Sequence, residues 1–217
     1  MSQETIQATI SVSGSSVLVN VMERAAGAVF LIAAGPVIAA TGVAISILSR
    51  RSPFIAHQSV GDGGELLWMW KLRTMWGHQA PHPREKGWVE YIVAEPRCGQ
   101  KNPCDHRVTS LLAKFMRRHS IDELPQLWHV ATGKMSLVGP RPLTRTELAR
   151  YYGSRAAELL SVKPGITGIW QTRGRSTVNF PERAAMDLEL VKGLTARSYF
   201  SILLRTLPVL FHGKDAW

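Results

Sequence analysis

Along the chain the apolar residues fall into two regimes. From Ala25 to Ser49 they form one run, AAGAVFLIAAGPVIAATGVAISILS, 25 residues long and without a charge; beyond Arg51 they recur only in short stretches. About 20 helical residues cross a bilayer core of about 30 Å, so the run predicts a membrane-inserted helix. Gly35 and Pro36 lie near its middle. Proline removes one backbone hydrogen bond and presses its ring on the preceding turn. A break there divides the run into halves of about 11 and 14 residues, each close to one leaflet at about 1.5 Å per residue. Arg24 before the run and Arg50 and Arg51 after it favour a hairpin with both ends on one face. A kinked helix that crosses fully is the alternative, since proline is tolerated in spanning helices.

The rest of the pattern divides the chain into three parts. Residues 1–16 are rich in Ser, Thr and Gln and lack the basic start and cleavage site of a secretory signal, so they read as a flexible polar tail. Residues 17–51 are the membrane-inserted segment, and 52–217 form one body that carries the chemistry. In the body, Gly61, Gly63 and Gly64 interrupt mixed runs and predict a hairpin ending in LLWMWKLRTM. Residues 77–105, dense in Pro, Gly, His and charge, read as an irregular insertion. Val108, Leu111, Leu112, Phe115 and Met116 share a helical face, with Arg117 and Arg118 beyond its end. Further helices are expected over 123–132, 142–160, 181–192 and 196–211. The last fits an interfacial amphipathic helix or a plain core helix. The fold class is therefore α+β: a kinked membrane hairpin helix, then a mostly helical domain with a small β-hairpin.

Charge narrows the partner. The 217 residues carry 26 Lys and Arg against 16 Asp and Glu, a net +10, which points to an anionic surface such as nucleic acid, acidic lipid or a phosphorylated substrate. With Cys98 and Cys104 as its only cysteines, a chain of this size is not held together by disulfides.

Three constellations carry candidate chemistry. In RRHSIDELPQL, residues 117–127, two cations precede the carboxylates of Asp122 and Glu123. Ser120 and Glu123 match a capping box. Pro125 prefers a first helical position instead, which leaves both acids just ahead of a helix in an electropositive spot, ionised and able to serve as nucleophile or metal ligand. In GKMSLVGPRP, Pro140 and Pro142 clamp Arg141, a rigid presentation of a bidentate phosphate ligand or of a solvated turn. KPGITGIWQ adds a glycine-punctuated turn. Neither GxxxxGK[ST] nor GxGxxG occurs, which removes the main support for ordinary ATP and dinucleotide folds. The spacing of Cys98, Cys104, His78, His82 and His106 matches no zinc pattern. Oxygen donors suit Mg²⁺ better.

In order, WKLRTM, DHRVT, RRHSIDELPQL, GKMSLVGPRP and KPGITGIWQ resemble the motifs of the bacterial sugar transferases that act on polyprenyl phosphate, the monotopic phosphoglycosyl transferases. The resemblance runs from about Val17 to the C-terminus and leaves residues 77–104 uncovered. It implies transfer of a sugar 1-phosphate from a nucleotide diphosphate sugar, by the family's habit a uridine one, to undecaprenyl phosphate, with release of the nucleoside monophosphate. The family's Asp-Glu dyad falls on Asp122, the implied nucleophile, and Glu123, which assists at Mg²⁺ or in proton handling. Lys71, Arg107, Arg117 and Arg141 fall on basic positions and are the implied phosphate ligands. The implied partners are a nucleotide sugar, a polyprenyl phosphate and the lipid bilayer, with a homodimer allowed and no nucleic acid. The implied location is the cytoplasmic face of the bacterial inner membrane. Two features depart from the family: Gly35 precedes Pro36 where Ser is usual, and the loop before Asp105 is longer and richer in His and Cys. A basic lipid-binding protein without catalysis accounts for the charge but not for the Asp-Glu pair or the clamped Arg141. An inactive scaffold of a glycan assembly complex is the other alternative.

Overall fold

A computed structural model of the chain describes residues 3–75, 87–93, 108, 110–174 and 178–212. It is α+β and mostly helical. Helix α1 spans Gln3–Ser49, with Pro36 inside it. The polar segment set apart by the sequence is thus helical from Gln3, and the expected division at Gly35 and Pro36 does not end the helix. Pro36 deletes one bond of the ladder, while the turns on either side keep theirs. Thr41, Ser46 and Ser49 return their hydroxyls to carbonyls one turn back at Val37, Gly42 and Ile45, which hides these polar groups on an otherwise apolar helix.

The expected hairpin is present. Strands β1 (Phe54–Val60) and β2 (Leu66–Leu72) pair antiparallel, Phe54 opposite Leu72 and Val60 opposite Leu66. Gly63 and Gly64 take positive φ in the connecting turn, where a side chain is strained. A third strand, β3 (Val89–Ile92), lies parallel to β1 on its other edge. It falls inside the stretch expected to be irregular, whose remaining residues lie largely outside the described ones. Parallel pairing is not signalled by any turn in the sequence.

Helix α2 (Leu111–Arg118) is capped by Ser110, whose hydroxyl accepts from the Ala113 amide, and it takes Arg117 and Arg118 into its last turn. There the two cations complement the carbonyl end of the helix. A 3₁₀ helix (Ile121–Gln126), α3 (Leu127–Ala131) and β4 (Ser136–Val138) follow. The helix expected over 142–160 is three pieces: α4 (Arg145–Tyr151), a 3₁₀ turn (Gly153–Arg155) and α5 (Ala156–Leu159). Thr144 and Glu147 form a capping box at the start of α4, and Gly153 with φ +50 breaks the run. Then come β5 (Gly165–Thr167), α6 (Ile169–Arg173), α7 (Phe180–Gly193) and α8 (Ala196–His212).

Helix α1 touches the body at two places on one stripe. Near its middle, Glu23 accepts from the Ser136 hydroxyl, the Leu137 amide at 3.1 Å and the Tyr199 hydroxyl. Asn20 accepts from Lys163 at 2.7 Å, and Arg24 donates to the Ala131 carbonyl at 3.2 Å. Gly27 lies so close to α3 that a Cβ there would meet Val130 Cγ1 at 2.8 Å. Further along, Ile45 is fully buried with Leu72 and Met116, and Ile38 packs on that cluster. Positions 20, 23, 24 and 27, then 38 and 45, keep the helical spacing of a single face. The opposite face is apolar and uncovered, with Val29, Ile32, Val43 and Ile47 all exposed.

Candidate active site

The acidic pair sits on a turn of unusual backbone. Ser120 has φ +55, left-handed and costly for a residue with a Cβ. Its side chain caps nothing, so the capping-box expectation fails. Pro125 does not begin an α-helix either, because it lies inside the 3₁₀ segment that precedes α3. The left-handed residue turns the chain out of α2, and the tight 3₁₀ turns then present Asp122 and Glu123 together. Asp122 is buried, at 7% exposure.

Among the described residues, two cations from distant parts of the chain meet Glu123. Lys71 Nζ, at the inner end of β2, donates to Glu123 Oε1 at 2.8 Å, and an Arg141 terminal nitrogen lies 3.9 Å from the same oxygen. Their side chains are mostly removed from water, 11% exposed for Lys71, 18% for Glu123 and 28% for Arg141. The structure thus brings Lys71, Glu123 and Arg141 together beside Asp122. Arg117 belongs to the last turn of α2 and is not one of the two cations on Glu123. Arg107 lies outside the described residues, as do Cys98, Cys104, His78, His82 and His106.

Arg141 is positioned from both sides. Ahead of it, β4 pairs parallel with β5, the Gly139 amide bonds Thr167 and the Gly165 amide bonds Pro140. The two backbones approach so closely that a Cβ on Gly165 would lie 2.0 Å from the Gly139 nitrogen, which explains both glycines. Behind it, the Val60 amide bonds Leu143 at 2.7 Å, joining the loop to β1. From below, the Tyr152 hydroxyl donates to Asp187 Oδ2 at 2.9 Å, and Asp187 is 1% exposed. Burial pushes the Asp187 carboxyl up to about 7, against the pull of Tyr152, the Arg141 amide and the Arg141 and Arg183 charges.

Three further residues belong to the site and were not picked out from the sequence. His57 faces Met69 across the hairpin while Ile55 faces Lys71, so His57 and Lys71 share one side of the sheet. Burial, then the Lys71 and Arg141 charges, lower His57 to about 4 and keep it neutral. Trp170, buried on α6, lies under Arg141 at 5.6 Å from its centroid, and Arg183 on α7 approaches the same ring at 4.6 Å. The alternation along β1 was enough to find His57; nothing local marks Arg183.

Among the described residues no group of three or more His, Cys, Asp or Glu is arranged to hold a metal. Asp122 and Glu123 offer oxygen donors only, and Lys71 already engages Oε1 of Glu123. Such a pair fits Mg²⁺, which takes one or two carboxylates and fills its shell with phosphate oxygens and water.

A buried carboxyl with a raised pKa binds its proton more tightly in the folded chain. Its stabilising contribution is complete below the ordinary value of 3.8 and is lost as pH rises to about 7. The stability of the wild type relative to Asp187→Asn is therefore expected to fall between about pH 4 and about pH 7. Denaturant midpoints of the two proteins across that range check this, and a constant difference contradicts it.

Comparison with known proteins identifies the family. The family model for bacterial sugar transferases matches residues 14–213. The undecaprenyl-phosphate galactose phosphotransferase of Salmonella typhimurium is 38% identical over 162 residues, which cover 74% of this chain and 34% of the relative. A UDP-galactose-lipid carrier transferase of Erwinia amylovora is 35% identical over 76% of the chain and 35% of its own length. This chain thus spans about a third of the length of these two relatives. The UDP-glucose:undecaprenyl-phosphate glucose-1-phosphate transferase of Caulobacter vibrioides is 33% identical over 91% of the chain and 71% of the relative. With the family's model covering nearly all of it, the chain belongs to the bacterial sugar transferases.

Proposed function

We propose that the protein transfers a sugar 1-phosphate from a uridine diphosphate sugar to undecaprenyl phosphate, the first step in building a surface polysaccharide. The observation that carries this reading is the convergence of Lys71 and Arg141 on Glu123, next to buried Asp122. The names of relatives that specify undecaprenyl phosphate and UDP-galactose or UDP-glucose support the substrate classes.

The chemistry runs in two displacements. An Asp122 carboxylate oxygen forms a bond to the sugar-bearing phosphorus, the bond from that phosphorus to the bridging oxygen breaks, and uridine monophosphate leaves with the electron pair. A phosphate oxygen of the lipid then attacks the same phosphorus and releases Asp122, giving a lipid diphosphate sugar. Phosphoryl transfer needs positioning and neutralised oxygens more than a strong base. Lys71 and Arg141 supply both, and Glu123, paired with each, holds them in place. Mg²⁺ held by Asp122 and Glu123 would add neutralisation of the diphosphate.

We infer the membrane arrangement from α1. The most apolar 18-residue window within Leu18–Ser49 has a mean hydropathy of 2.2, and only 11% of it is buried, unlike the core helix of a soluble body. Glu23 to Gly27 and Gly42 to Ile45 both contact the same body. The roughly 14 residues between them rise about 21 Å, short of a bilayer core of about 30 Å. This supports a helix that enters and leaves on the cytoplasmic face of the inner membrane, where nucleotide sugars are made.

Two measurements test these readings. Detergent-solubilised protein with Mg²⁺ and undecaprenyl phosphate is expected to release uridine monophosphate from one member of a panel of UDP-sugars. Asp122→Asn should lower that rate by at least about a thousandfold and Lys71→Ala or Arg141→Ala by about a hundredfold. Lipid-independent release, or full activity of Asp122→Asn, contradicts the mechanism. For topology, cysteines placed at Ser2 and Ala149, with Cys98 and Cys104 replaced by serine, should label from the same side in intact spheroplasts. Labelling from opposite sides sinks the re-entrant helix.

A further inference from the structure

Arg183 lies outside every motif that marks the site, yet it shares an aromatic platform with Arg141. Its guanidinium carbon is 4.6 Å from the Trp170 centroid and 5.2 Å from that of Phe180, while Arg141 lies 5.6 Å from Trp170. Trp170 is 6% exposed, so the platform is fixed and both cations rest on it at distances where ring and charge attract. Arg183 Nε donates to the Val178 carbonyl at 2.8 Å, which sets the plane of the fork. The Asn179 and Glu182 capping box anchors the start of α7 just ahead of it. Arg183 is therefore a preorganised guanidinium rather than a roaming surface cation.

Arg183 feels both signs of charge, the carboxylates of Asp187 and Glu147 as well as the Arg141 guanidinium, while Lys71 and Arg141 pair with Glu123. Burial comes first in lowering the Arg183 pKa, then the Arg141 charge, with the Asp187 and Glu147 charges opposing them. Two like charges kept on one buried ring are relieved by an anion that bonds both, and a phosphate or diphosphate has oxygens enough to accept from two planar forks.

We propose that Arg183 is a substrate-binding residue, forming with Arg141 and Trp170 a two-guanidinium clamp for a phosphate or diphosphate group. The clamp rests on the proposed transferase reading for its place in a reaction, though not for its affinity for phosphate. Its ligand is the diphosphate of the sugar donor or the phosphate of the lipid acceptor, and both present the same oxygens.

The test is titration calorimetry of the full chain in detergent with inorganic pyrophosphate, with uridine diphosphate and, separately, with undecaprenyl phosphate. Arg183→Gln keeps the apolar stem and an amide donor for Val178. It is expected to weaken pyrophosphate binding about tenfold or more, with Arg183→Lys between it and the wild type. Arg173→Ala should bind as the wild type does, because Arg173 is half exposed and pairs with Glu189 at the surface. A matching loss with uridine diphosphate assigns the clamp to the donor, and a loss with undecaprenyl phosphate assigns it to the acceptor. Wild-type affinity of folded Arg183→Gln for all three ligands overturns the proposal, as does a wild-type protein that binds none of them. If the wild type releases no uridine monophosphate from any donor while Arg183→Gln still weakens pyrophosphate binding, the transferase reading falls and the clamp stands.

Discussion

One carboxylate organises the site. Glu123 comes from a 3₁₀ turn after α2, and the two cations on it come from β2 and from the loop after β4. Lys71 and Arg141 would repel one another in this poorly solvated place without an anion between them. Removing one partner of a buried ion pair leaves an unpaired charge and costs on the order of 3–5 kcal/mol, somewhat less where water reaches the group. Glu123 therefore keeps the hairpin, the acidic turn and the clamped arginine in one arrangement. In the proposed reaction an arriving phosphate would find the cations already in position, with little of its binding energy spent on ordering them.

The same logic extends outward through the backbone. Arg141 is held because Gly139 and Gly165 let β4 and β5 come within a distance that no side chain permits. Strand β4 is in turn bound to α1 through Glu23, which takes a hydroxyl and an amide from Ser136 and Leu137 and a hydroxyl from Tyr199 on α8. The apolar helix and the cluster of cations are thus parts of one packed unit. In the proposed reaction this matters, because one substrate is dissolved in water and the other in the bilayer. For that reaction the loop that carries Arg141 would have to stand at a fixed height relative to the lipid, and the bonds of Glu23 would hold it there.

Much of this was legible in the sequence where the signal is local. The glycines of residues 61–64 announced the hairpin, and helical spacing announced α2, α7 and α8. Asp122, Glu123, Lys71, Arg107, Arg117 and Arg141 were picked out by motif; Lys71, Glu123 and Arg141 meet, Arg117 ends α2, and Arg107 lies outside the described residues. The failures share a cause, which is dependence on distant residues. Strand β3 exists because it pairs with β1, more than thirty positions earlier in the chain. Strands β4 and β5, three residues each, are too short to carry a periodicity. The turn at Ser120 overrides a sound capping pattern because the chain must leave α2 sharply. Arg183 has no mark of its own, since its meaning comes only from Trp170 beneath it and Arg141 beside it.

The central claim is that Asp122 carries the sugar phosphate between donor and lipid. The most direct measurement is to incubate the protein with a donor labelled with radioactive phosphorus at its sugar-bearing phosphate, without lipid, and to count label that survives denaturation on the chain. The account predicts protein-bound label in the wild type, none in Asp122→Asn, and its discharge into the lipid fraction when undecaprenyl phosphate is added. Label that persists in Asp122→Asn, or labelled lipid that forms with no protein-bound label at any time, contradicts it.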